Sequence, residues 1–268
     1  NEISNTKKEE NKVSKKLDLK LFPSVLNGEI KAPPSKSLSH RALICAALAK
    51  GQSTITNIAY SEDVIATIGA LELMGAKFEK HNDKLIVHGT RRIKAPHSPI
   101  NCNESGSTLR FLIPVFSLSD KKIYFTGNPT LIKRPQSIYK KIFKDDRNIF
   151  EVKDNQILVN GSVKAREYIL KGDVSLKFFT GLMFSLPLLK ENSTILIDGD
   201  LESKGYIDLT IRTLEKFGIE ILELEKGYFI KGNQSYKPTN FNIEGDYSQA
   251  AFFLVGGILN GRVKVSDL

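Results

Sequence analysis

Apolar positions along the chain fall into two alternating patterns. In "SLSHRALICAALAKG", "SGSTLRFLIPVFSLSD", "VSLKFFTGLMFSLPLLKE" and "DYSQAAFFLVGGILNG" a polar start leads into a stretch that is apolar on nearly every face. Such helices are stable only when covered on all sides. Between them lie amphipathic stretches, with Ile65, Ile68 and Leu71 in one and Ile207, Ile211 and Leu214 in another, spaced for one inward face. Both stretches stop at a glycine, Gly75 or Gly218, as a left-handed C-terminal cap requires. Each is followed by strand, polar turn and strand, closing on Gly89 or Gly232. The two copies lie two periods of about seventy residues apart. A third copy begins at Lys122 between them and lacks the capping glycine. The pattern predicts three whole units and the opening of a fourth, each read as helix, strand, helix, strand, turn, strand.

Ahead of the first unit, "LDLKLFPSVLNGEIKAP" reads as two short strands joined by a turn at Asn27-Gly28. The opening residues carry Glu2, Glu9, Glu10 and Asp18 among lysines and lack an apolar core, so they fit neither a secretory signal nor a transit peptide. Residues 1–17 are expected to be a charged tail.

Three all-round apolar helices from three units would pack at the centre of a domain, with their polar N-termini on one face. A helix N-terminus carries partial positive charge and unpaired N–H groups, which suits an anion. The first helix crowds Lys36, Ser37, Ser39, His40 and Arg41 into its opening turns, and the second carries Arg110. Cations at an N-terminus oppose the helix dipole, which points to a bound anion offsetting both. Lys36 and Arg41 are expected to neutralise that anion rather than pair with protein carboxylates. Ser39 and Thr108, taken alone, read as ordinary caps, and Asp246 as the cap of the fourth helix.

Composition narrows the partner. The chain has 268 residues, 41% hydrophobic, and a formal net charge of +9. That is ample for a core, and a basic balance attracts anions. No nucleic-acid reading motif accompanies the charge, so small anionic metabolites are the expected partners, without nucleic acid or membrane. No apolar run reaches the roughly 20 residues of a membrane span. Two cysteines, Cys45 and Cys102, give neither a disulfide framework nor metal spacing. Cys45 reads as inert core, and the chain fits a cytoplasmic, reducing compartment.

"PPSKSLSHRAL", "NESGSTLRFL", "LIKRP", "ESKGYIDLTI" and "EGDYSQAAFFL" occur in that order. Together they resemble the 5-enolpyruvylshikimate-3-phosphate (EPSP) synthase family, from about Leu19 to Leu268. The resemblance implies an α/β (α+β) fold of two domains, each of three βαβαββ units, with the active site between them. It implies transfer of the enolpyruvyl group of phosphoenolpyruvate to the 5-hydroxyl of shikimate 3-phosphate, with release of phosphate, by a monomer with no metal or organic cofactor. Residues 18–32 would belong to the second domain, 33–240 would form the first, and 241–268 would open the second.

Carried over by motif, Lys36 is the catalytic candidate and touches both substrates. Ser37 and Arg41 bind shikimate 3-phosphate. Gly106 admits phosphoenolpyruvate close to the backbone, where the inhibitor glyphosate also binds. Arg134 holds the phosphoenolpyruvate phosphate or carboxylate, Ser203 and Tyr206 lie near the shikimate phosphate, and Arg110 is a supporting candidate. The family's Ser-Ser-Gln at the third central helix is here Ser175-Leu176-Lys177. Leu176 cannot donate a hydrogen bond, and Lys177 places a flexible charge where the family has an amide. The family's proton-transferring carboxylates and its second set of cations lie beyond the fourth unit's opening, so this chain by itself would bind substrate without turnover. A sister transferase acting on UDP-N-acetylglucosamine and a non-catalytic polyanion-binding module are the competing readings.

Overall fold

The computed structural model describes residues 20, 22, 24–201 and 203–268; the expected tail, 1–17, lies outside them. An N-terminal strand β1 (Leu26–Lys31) precedes the first unit, which comprises α1 (Lys36–Leu48), β2 (Gly51–Thr56), α2 (Glu62–Met74), β3 (Lys77–His81) and β4 (Lys84–Gly89). The second comprises β5 (Ile100–Asn101), α3 (Gly106–Ser117), β6 (Ile123–Thr126), a short α4 (Pro129–Ile132), α5 (Ser137–Asp145), β7 (Ile149–Lys153) and β8 (Gln156–Asn160). The third comprises β9 (Glu167–Lys171), α6 (Lys177–Ser185) with a 3-10 extension, β10 (Ser193–Asp198), α7 (Gly205–Lys216), β11 (Ile221–Leu224) and β12 (Gly227–Ile230). Then come β13 (Asn240–Asn242), α8 (Tyr247–Asn260) and β14 (Gly261–Ser266).

Each unit owns a four-stranded sheet of one topology. The orders are β5-β6-β8-β7, β9-β10-β12-β11 and β13-β2-β4-β3. In each, the first two strands are parallel and the rest antiparallel. The sequence reading lacked the opening strands. Two of them are only two or three residues long, too short to show a period. The first unit's opening strand is β13, contributed after the third unit has ended. Asn240–Asn242 pairs with Thr54–Thr56, so this strand crosses the division expected after residue 240.

The hairpin expected at Asn27-Gly28 does not form. One strand runs through both residues and pairs in parallel with β14, from Leu26 opposite Gly261 to Lys31 opposite Ser266. Six paired positions outweigh a local two-residue turn, and the Asn27 side chain accepts from the Arg262 amide instead of turning the chain.

The outer helices end as their sequences require. Gly75 and Gly218 both take left-handed backbone, and the next amide reaches back to the Leu71 or Leu214 carbonyl. The middle unit closes identically without a glycine: Arg147 takes φ 58°, and the Asn148 amide bonds the Phe143 carbonyl. Ile65, expected inside, is 48% exposed. The inward stripe of α2 is Val64, Thr67, Ala70, Leu71 and Met74; Leu71 is buried as expected, and Ile68 lies at its margin, partly buried against the core.

The core lies where α1, α3 and α6 converge. α1 is buried from Leu38 to its end. Phe111 of α3 stacks edge-on against Phe184 of α6 at 5.6 Å and faces the His40 ring of α1 at 6.4 Å. Pro114 inside α3 has no N–H, so the Arg110 carbonyl loses its helical partner; the Tyr139 hydroxyl donates to it instead. α6 passes close to that bond at Gly181, where a Cβ would sit 2.3 Å from the Tyr139 hydroxyl and 2.4 Å from the Arg110 carbonyl oxygen. α8 rests on β14 and β1 and leaves Phe252, Ile258 and Leu259 exposed.

Candidate active site

Ser35 caps α1 by accepting from the Leu38 amide, and Ser105 caps α3 by accepting from the Thr108 amide. These caps fix where the two buried helices begin. α6 starts without a side-chain cap, because Leu176 stands there half-buried against the core. The serine hydroxyl at 175 accepts from Arg110 Nη1 at 3.4 Å. A cavity of about 410 Å³ opens over these starts, lined by Lys36, Ser37, Arg41, Ser175, Lys177, Ser203 and Tyr206 among others. Seven residues expected from scattered motifs thus share one concavity.

Arg41 is 4% exposed and, among the described residues, has no carboxylate partner. Its Nε donates to Thr210 Oγ1 at 2.8 Å, Nη1 to the Ser37 carbonyl at 2.8 Å, and Nη2 to the Tyr206 carbonyl at 3.2 Å. Its plane lies over the Phe111 ring at 5.2 Å. Burial pulls the guanidinium down to about 10, so it stays charged at neutral pH. Each outer nitrogen keeps one N–H beyond these bonds.

Lys36 departs from expectation. Its Nζ pairs with Asp63 Oδ2 at 2.9 Å. Ser61 caps α2 and sets Glu62 and Asp63 in its first turn, where the dipole favours acids. That turn abuts the start of α1, so cation and acid meet across 27 positions of sequence.

Gly106 and Arg134 do not line the cavity itself. A Cβ on the buried Gly106 would lie 3.2 Å from Arg134 Nη1 and 3.5 Å from Lys177 Nζ. Glycine therefore lets two cations pass over the start of α3. Arg110, at the cavity's edge, also donates to the Pro135 carbonyl and lies over the Phe178 ring at 5.0 Å. Ser203 adopts φ 56° and its carbonyl accepts the Tyr206 amide, turning Tyr206 toward the cavity.

Matching of residues 22–268 by the family model for EPSP synthase (3-phosphoshikimate 1-carboxyvinyltransferase) decides the relationship. The chain belongs to the EPSP synthase family. It is 48% identical over 252 residues to the 3-phosphoshikimate 1-carboxyvinyltransferase of Clostridium perfringens strain SM101, covering 92% of this chain and 59% of that protein. It is 47% identical over 261 residues to the same-named protein of Clostridium beijerinckii, covering 94% of this chain and 60% of the other. The chain thus spans about three fifths of the length of these relatives. An EPSP synthase structure from Acinetobacter baumannii superposes with a TM-score of 0.78 at 24% identity, over 90% of this chain and 55% of that one, which establishes the shared fold.

Several residues that line the cavity escaped the motif reading. Asp63, Asp173, Ser107 and Phe111 line the cavity. Beneath it, hydroxyls tie the helices together. His40 Nδ1 lies 2.7 Å from Thr67 Oγ1, Thr67 2.7 Å from Thr108, and Thr108 2.7 Å from Ser105. His40 is fully buried, its Nε2 has no partner among the described residues, and burial pushes its pKa down to about 3 against a smaller opposing pull from Asp63. On the other side Thr210 bonds Arg41 and lies 3.2 Å from Thr180 of α6. Thr67, Tyr139 and Thr210 precede Gly75, Arg147 and Gly218 by the same spacing. All three turn a hydroxyl inward to a central helix. That shared offset was visible in the repeat and could have found them. Among the described residues, no group of three His, Cys, Asp or Glu side chains could hold a metal, and no helix is long and apolar enough to cross a membrane.

Proposed function

We propose that this chain supplies one wall of an active site that transfers the enolpyruvyl group of phosphoenolpyruvate to the 5-hydroxyl of shikimate 3-phosphate and releases phosphate. The observation that carries the reading is the meeting of Lys36, Ser37, Arg41, Ser175, Lys177, Ser203 and Tyr206 in one cavity at the starts of buried helices. Both substrates are polyanions, and a desolvated cationic pocket is what their charge demands. Arg41, rigidly held and with N–H groups to spare, suits a carboxylate or phosphate oxygen. Lys36, the catalytic candidate, exchanges Asp63 for substrate oxygens. Ser203 and Tyr206 serve the shikimate phosphate, while Arg134 and Gly106 serve phosphoenolpyruvate.

Residues 33 to about 243 form the substrate-binding domain of a cytoplasmic, monomeric enzyme; β1, α8 and β14 begin the second. The opposing cations and the proton-transferring carboxylates belong to that second domain. Transfer requires both walls, since its transition state gathers charge from two substrates in a site closed to water. The 268-residue chain therefore binds shikimate 3-phosphate, with affinity falling as salt rises, and releases no phosphate from the substrate pair. Calorimetry with shikimate 3-phosphate at two ionic strengths and a phosphate-release assay test it. Absence of binding at low salt overturns the substrate assignment. Turnover at a rate typical of enzymes, tens per second, overturns the division of labour between walls.

A further inference from the structure

The site's positive charge exceeds what its own acids answer. Lys36 is committed to Asp63, and Arg41 is fixed through all three nitrogens by neutral acceptors, which hold it in place and leave its charge unanswered. Arg110, Arg134 and Lys177 remain, and none forms an ion pair among the described residues. Lys177 opens α6 on the cavity wall. Its Nζ and Arg134 Nη1 approach the same point, 3.5 and 3.2 Å from where a Gly106 Cβ would stand. Arg110 closes the third side, held by Ser175 and the Pro135 carbonyl. Three like charges gathered without a counter-charge repel one another unless a ligand supplies it.

We infer that Lys177 is the charge-reading residue of this cavity: with Arg110 and Arg134 it closes a seat for a doubly charged oxyanion over Gly106, and the seat is complete only while its ammonium is protonated. The inference rests on the proposed anion-binding reading, but not on the identity of the sugar acid. An amide at this position would donate hydrogen bonds of fixed strength. An ammonium adds a full charge and makes binding titrate. The groups facing Lys177 set where it titrates. Burial lowers its pKa most, Arg110 of α3 and Arg134 after α4 lower it next, Asp63 of α2 opposes them, and Lys36 of α1 lowers it slightly; Asp173, just before α6, lines the same cavity.

Sulfate isolates the effect, because its charge is constant across the neutral and alkaline range. Calorimetric titration of the 268-residue chain with sodium sulfate at low ionic strength, from pH 7 to 10, is the measurement. Affinity is expected to fall about tenfold as pH rises, with a midpoint below the ordinary lysine value of about 10.4. Lys177→Gln is expected to bind about tenfold more weakly at pH 7, the loss of one charge-assisted contact, and to be flat with pH. Lys177→Arg keeps the affinity and moves the alkaline fall to higher pH, because a guanidinium gives up its proton later than an ammonium. Undiminished sulfate affinity in Lys177→Gln, an alkaline fall that persists in it, or no sulfate binding at pH 7 each overturns the inference. Sulfate binding that behaves as stated in a chain that ignores shikimate 3-phosphate would sink the proposed substrate and leave the seat standing.

Discussion

Arg41 and Thr210, 169 positions apart in sequence, are joined by a 2.8 Å hydrogen bond from guanidinium Nε to hydroxyl. The same hydroxyl donates to the Tyr206 carbonyl at 3.0 Å, which itself accepts from Arg41 Nη2. Thr210 therefore holds the buried arginine in the orientation that leaves its outer N–H groups for a ligand. Thr210→Val removes the acceptor at nearly constant volume and strands a buried charged donor. The expected cost is about 1–3 kcal/mol of stability, accompanied by weaker shikimate 3-phosphate binding; Thr210→Ser restores both. Urea unfolding and calorimetry on the same preparations check it, and a valine variant that matches the parent in both would show that Arg41 is held by other means.

His40 makes the fold acid-sensitive. Its pKa is about 3 in the folded chain, against about 6.5 when unfolded. The unfolded state thus takes the proton more readily. The stability is fully present above about pH 6.5 and is lost as pH falls toward 3, to a total on the order of 5 kcal/mol. His40→Asn can still bond Thr67 and cannot charge. Its unfolding free energy should depend less on pH between 6.5 and 4 than the parent's, measured by urea midpoints across that window.

Asp63 restrains the site's cationic field. Its pair with Lys36 is partly exposed, and such pairs contribute about 1 kcal/mol or less to stability. Asp63→Asn should leave the melting temperature within a few degrees of the parent. It should also tighten sulfate binding several-fold by freeing Lys36 and removing a negative charge from the wall. Unchanged sulfate affinity would show that the Lys36 ammonium does not reach the ligand.

Gly181→Ala sets two effects against each other. Alanine favours the helix by about 1 kcal/mol. Its Cβ would meet the Tyr139 hydroxyl and the Arg110 carbonyl at 2.3 and 2.4 Å, and overpacking costs about 1–3 kcal/mol. Breaking the Tyr139 bond also strands the carbonyl that Pro114 left unpaired. Net destabilisation is expected, seen as a lower urea midpoint. Tyr139→Phe in the Gly181→Ala background should recover part of it, since it removes the colliding oxygen.

What the sequence disclosed follows from the length of its signals. Helices apolar all round and glycines closing α2 and α7 are strong local statements, and they led to the repeat. The closing turn at Arg147 carried no glycine, yet the chain turns there in the same way, held by the same backward bond. Of the units' opening strands, β5 and β13 were invisible because they are too short for a period, whereas β9, five residues of alternating burial, was legible and was missed. At the site, compact motifs were read only in part: Ser107, Phe111 and Thr210 lie inside quoted motifs and were missed, as was Asp63 outside them, because Thr210 and Asp63 sit in amphipathic helices and acquire their roles only when α7 and α2 dock on α1. Leu176, legible only as a missing donor, proves to pack against the core.

The first unit's sheet is closed by β13, and around it Thr239 bonds Ser53, Thr56 bonds Asn242, and Asn57 bonds the Ile243 carbonyl. A ribosome releases Thr54–Thr56 long before Asn240–Asn242. The first unit made is thus the last one sealed, and the free flank of β2 stays open while both later units are being synthesised. An open strand flank invites foreign pairing. The domain is a ring fastened by its final link, so a nascent chain stalled just short of that link exposes the same vulnerable edge however well its middle has folded.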